Sequence, residues 1–138
     1  MIFALVAIFL TFSVPVDTVE TETEVLPLSA PETIAEAVRY IDSLIPNKEV
    51  AIIRRTSENE FASNAVNTLG VYMISEWRLY SPESPLGSFF MRNEIFDPNE
   101  MAEIILIAYW RRLNAKDADI DRILLERLRY WDSLRSGN

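Results

Sequence analysis

DPNEMAEIILIAYWRRL, residues 97–113, carries its own start signal. Asp97 can accept from the amides of a first helical turn. Pro98 takes the first helical position, where no donor is needed, and Glu100 stands at the third, placed to reach back. The helix so opened, Met101 to Leu113, is apolar on nearly every face from Ile104 to Trp110. That pattern predicts the most buried element of the molecule. At about thirteen residues it is too short to cross a bilayer.

Working outward, the flanking segments also read as helices. On the C-terminal side, a helix beginning near Asp117 or Asp119 sets Ile120, Ile123, Leu124, Leu128, Trp131 and Leu134 on one side, with acids early and arginines later, as the helix dipole favours. Gly137 suits its stop. On the N-terminal side, Pro31 after Ser29 or Ala30 is expected to open a helix with Ile34, Ala37, Val38, Ile41, Leu44 and Ile45 on one face, ending at Pro46. Asn47 is expected to cap a short helix, and Ser57 with Glu60 to form a capping box for a longer one. That longer helix would run through Phe61, Ala65, Leu69, Met73 and Trp77, with a kink or break near Gly70 to keep this drifting ladder on the core. Residues 81–93, rich in Pro and Gly, read as an irregular connection. The expectation is an all-α fold, a compact bundle of about five helices around the 101–113 helix, in a single domain over residues 31–138.

Ahead of this domain, Ile2 to Val16 has no charge and would reach roughly 22 Å as a helix, short of the ~30 Å hydrocarbon core. Residues 1–16 therefore read as a signal peptide or short membrane anchor, and the protein as extracytoplasmic, periplasmic or secreted. Residues 17–30, in which Thr alternates with Glu, read as an acidic linker.

Composition narrows the chemistry. The 138 residues contain neither Cys nor His, which removes thiolate nucleophiles, disulfides, imidazole bases and His/Cys zinc sites. No cofactor is expected. The net charge is −8, and the thirteen basic residues are scattered rather than clustered, which disfavours nucleic-acid binding.

Between Pro31 and about Ala118 the chain resembles an uncharacterised bacterial domain-of-unknown-function family of small, often exported, helical proteins. The resemblance is carried by Pro31 with Ile34 and Ala37, by Leu69-Gly70 followed by Trp77-x-Leu79-Tyr80, and by Asp97-Pro98-Asn99-Glu100-Met101 leading into Ile104-Ile105-Leu106. It implies a shared helical fold and no reaction. Where relatives show an Arg-Asn pair after Leu-Gly this chain has Ile74-Ser75, and Asp97 stands where they often have His before Pro. No catalytic residue is carried over.

Three constellations are candidates for function. Asp117, Asp119 and Asp121 imitate the start of a calcium loop, but Arg122 and Leu128 stand where Gly and a bidentate acid are required, so helix capping is the better reading. Asp97, Glu100 and Glu103, with Glu94 nearby, gather carboxylates that could run acid/base chemistry, although capping accounts for Asp97 and Glu100. Trp77, Arg78 and Tyr80 could form an aromatic-basic recognition surface, against core packing of Trp77. Trp77, Arg78, Tyr80, Asp97 and Glu100 are thus the candidate binding residues, and no residue is assigned catalysis or metal binding. The function expected is a non-catalytic protein-binding module whose partner is another protein, with an inhibitor or immunity-type role and a carboxylate-dependent hydrolase as alternatives. Membrane contact is expected only through residues 1–16, if they are retained.

Overall fold

A computed structural model describes residues 30–137; the expected signal or anchor segment and all but the last residue of the expected linker lie outside them. Seven helices follow one another among the described residues: α1 Ile34–Leu44, α2 Asn47–Arg55, α3 Glu58–Ala65, α4 Leu69–Glu76, α5 Pro85–Arg92, α6 Pro98–Leu113 and α7 Ile120–Arg135. The fold is all-α, and each of the other six helices packs on α6.

α6 is the hub because its sequence leaves no polar face. From Met101 to Trp110 every residue but Glu103 is buried. Asp97 Oδ1 accepts from Asn99 N at 2.9 Å, Pro98 occupies the first turn, and Arg111 and Arg112 lie in the last. Trp110 turns its indole Nε1 to Ile53 O at 3.2 Å and Thr56 O at 2.9 Å, tying α6 to the carbonyls at the end of α2, where Ile53 O also accepts from Thr56 N.

Four boundaries differ from the sequence expectation. α1 starts after Thr33, whose hydroxyl accepts from Glu36 N at 3.1 Å while Glu36 Oε1 accepts from Glu32 N at 2.8 Å, so this reciprocal cap and not Pro31 sets the first turn. Asn47 is the first residue of α2 and caps nothing; Pro46 holds the cap position, its carbonyl accepting from Glu49 and Val50.

The Phe61-to-Trp77 ladder breaks at Val66–Thr68, ahead of Gly70, making two helices of the expected one. The break resets the phase, and Phe61, Ala65, Leu69, Met73 and Trp77 all end buried. Gly70 serves close packing instead, since a Cβ there would lie 2.9 Å from Val66 Cγ2 and 3.5 Å from Ala102 Cβ on α6. Lastly, residues 85–92 form α5, with Ser84 accepting from Gly87 N at 3.2 Å and Pro85 in the first turn. This is the cap-and-proline device of α6 again, disguised by the prolines and glycine around it. Gly87 is obligatory, because a Cβ would meet Ser81 O at 2.5 Å and Leu79 O at 2.7 Å.

Candidate functional site

The first candidate cluster divides between core and surface. Trp77 is buried, its ring meeting Tyr40 edge-on at 5.6 Å and Tyr72 at 6.2 Å, and the Tyr40 and Tyr72 hydroxyls are 2.9 Å apart. Burial, and then the hydrogen bond with Tyr40, raise the Tyr72 phenol far above its ordinary range. Arg78, at φ +53°, and Tyr80 are exposed on either side of the fully buried Leu79. The three residues therefore share a turn without sharing a surface.

The second cluster, at the start of α6, is assembled by α7. Glu100, instead of reaching back to its own cap, extends to α7, where its Oε2 lies 3.4 Å from Arg127 Nε and accepts a hydrogen bond from the indole of Trp131. Glu103 takes the other side of the same guanidinium, 3.4 Å from Nη2. Further along, Arg111 forms a bidentate pair with Glu58 of α3, at 2.9 and 3.0 Å, and bonds Glu126 of α7 at 2.9 Å. Those hydrogen bonds, chiefly the Glu58 one, outweigh desolvation and hold the Arg111 guanidinium more firmly protonated than usual.

These two clasps run α7 across α6, and its apolar stripe outlasts the body beneath it. Ile123 and Leu124 are buried and Leu128 partly so, but Tyr130, Trp131 and Leu134 are 52%, 39% and 49% exposed. The Tyr130 and Trp131 rings touch edge-on, 5.2 Å between centres. Phe96, immediately before the Asp97 cap, is 67% exposed at the same end of α6. Exposed aromatic side chains thus stand on the last turns of α7 and just before α6, with the sequence candidates Asp97 and Glu100 at the start of α6. Phe96, Tyr130 and Leu134 were not singled out as site residues, and periodicity placed Trp131 in the core.

Elsewhere, a hollow of about 580 Å³ lies between the start of α1, α5 and Ile120, lined by Glu32, Ile34, Phe89 and Arg92 among others. Its lining holds one carboxylate, so paired-carboxylate chemistry cannot be seated there. Asp117 and Asp119 cap the entry to α7, accepting from Asp119 N at 3.0 Å and Asp121 N at 3.1 Å, and Asp117 also pairs with Arg122 at 2.9 Å. Among the described residues no group of acids is arranged to hold a metal ion, and no helix is long and apolar enough to cross a membrane.

No curated protein and no solved structure matches the chain. A family match covers residues 30–113, from the entry of α1 to the end of α6, and leaves α7 outside it. With the Leu69-Gly70, Trp77-x-Leu79-Tyr80 and Asp97-Pro98 elements all inside that span, the chain belongs to the family of the domain of unknown function DUF6794.

Proposed function

We propose that this chain is a non-catalytic, extracytoplasmic protein-binding module, and that the face built by Phe96, Tyr130, Trp131 and Leu134 is its docking surface. The observation that carries this is the continuation of α7's core-facing stripe into solvent: beyond Ile123, Leu124 and the partly buried Leu128 it carries Tyr130, Trp131 and Leu134, all large and exposed. Exposed aromatics of this kind are what interfaces use as anchors, because they bury much area for few frozen torsions. The hydrolase alternative draws no support from the carboxylates at α6, since Glu100 and Glu103 are engaged by Arg127 and Trp131.

The test compares the full-length chain with a Phe96→Ser/Tyr130→Ser variant as bait for extracytoplasmic proteins. A partner retained by the first and lost by the second is the expected result; a partner held equally by both would place the surface elsewhere. Location is tested separately by fusing residues 1–30 to a reporter active only after crossing a membrane. Activity outside the cytoplasm is expected, and a reporter confined to the cytoplasm would refute the extracytoplasmic reading.

A further inference from the structure

We infer that the Phe96–Tyr130–Trp131–Leu134 face receives a basic amphipathic helix of a partner protein, an assignment that rests on the protein-binding reading above. The charge around the face selects this occupant. Glu94 and Asp97 lie close to Phe96 in the chain and are exposed, Glu100 accepts from the Trp131 indole, and Arg127 is set between Glu100 and Glu103. Four carboxylates against one guanidinium leave an excess of three negative charges. Asp132 and Arg135 pair with one another, and Arg92 and Arg129 turn to hollows lined by α1 and α5 and by the start of α7.

An aromatic face rimmed by uncompensated carboxylates fits a helix presenting Leu or Ile on one side with Lys or Arg beside them. The apolar residues would lie on Phe96, Tyr130 and Leu134, the cations would reach the carboxylates, and the stems of long basic side chains would cover the rings. The same charges argue against other occupants. A second copy would bring the same negative excess against itself on a chain already at −8, and an anionic lipid surface would be repelled.

Trp131 provides the readout, because Trp77 and Trp110 are buried and it is exposed. The full-length chain is titrated with a synthetic amphipathic helix of Lys and Leu, about five turns long, and with its Glu and Leu counterpart. The Lys peptide is expected to shift Trp131 emission to the blue, to bind about tenfold more weakly in about 1 M salt, and to lose binding to the Phe96→Ser/Tyr130→Ser variant. The Glu peptide is expected to leave the emission unchanged. Glu94→Lys, an exposed change in the turn before Phe96, should weaken the Lys peptide several-fold while the thermal melt stays as in the parent.

Equal binding of the two peptides, or Lys-peptide binding that survives the double substitution, overturns the assignment. So does a Trp131 response to anionic vesicles without one to the peptide, or a dimer in sedimentation equilibrium that the double substitution dissolves. If the peptide assay fails while the double variant still loses its captured partner in the bait experiment, the docking surface stands and only the chemistry of its occupant falls.

Discussion

Tyr109 brings a phenol into the middle of α6, where its hydroxyl is buried with no hydrogen-bond partner among the described residues. An unmet donor costs free energy that a phenyl ring would not. Tyr109→Phe is therefore expected to be neutral or to stabilise by up to about 1 kcal/mol, read from the urea midpoint at pH 7. Burial also raises the Tyr109 phenol, as it does that of Tyr72, far above the ordinary value of 10.0. A folded-state pKa above the unfolded one contributes stability that is complete below pH 10 and lost as pH rises beyond it. The urea midpoint should fall from about pH 10 upward, and less steeply in Tyr109→Phe. At the α6 cap, Asp97→Ala removes the acceptor of Asn99 N and should cost about 1 kcal/mol in a thermal melt.

Between elements, side chains on α6 fix the neighbours that surround it. Arg111 joins α3, α6 and α7 through Glu58 and Glu126. Arg111→Met would leave two carboxylates facing the vacated space and should cost about 1.5–3 kcal/mol. Hydrogen exchange should show the loss first in α7, which buries only Ile123 and Leu124 fully. The apolar body of α6 is less forgiving. Ile105→Asp places an unpaired charge where no surface is exposed, at a cost of several kcal/mol against a total stability of about 5–15. That variant is expected to lack a cooperative unfolding transition by circular dichroism.

At the scale of the molecule, one helix supplies the common wall of the core formed by the described residues. Residues 31–138 are accordingly expected to fold alone. Far-ultraviolet circular dichroism of that fragment should be helical with a single cooperative melt, and a sheet-like spectrum or no transition would count against the α6-centred architecture. The family match ends at residue 113 with α6, and α7 follows it.

The all-helical class, the burial of the 101–110 stretch and the caps at Ser57, Asp97 and Asp119 were determined by the sequence by itself. Each depends on a side chain and a backbone amide two or three residues apart, or on one helix's own periodicity. The ladder called for a kink or break near Gly70, and only the tertiary structure decided that it is a full break and falls at Val66–Thr68, where α6 requires the chain to change phase. It also decided that Gly87 meets the Leu79 and Ser81 carbonyls and that Glu100 serves Trp131, 31 residues away. The exposure of the last turns of α7 belongs with these. Ile123, Leu124, Trp131 and Leu134 look alike in the sequence because periodicity names the apolar side of a helix; whether that side is core or surface depends on where the neighbouring helices end.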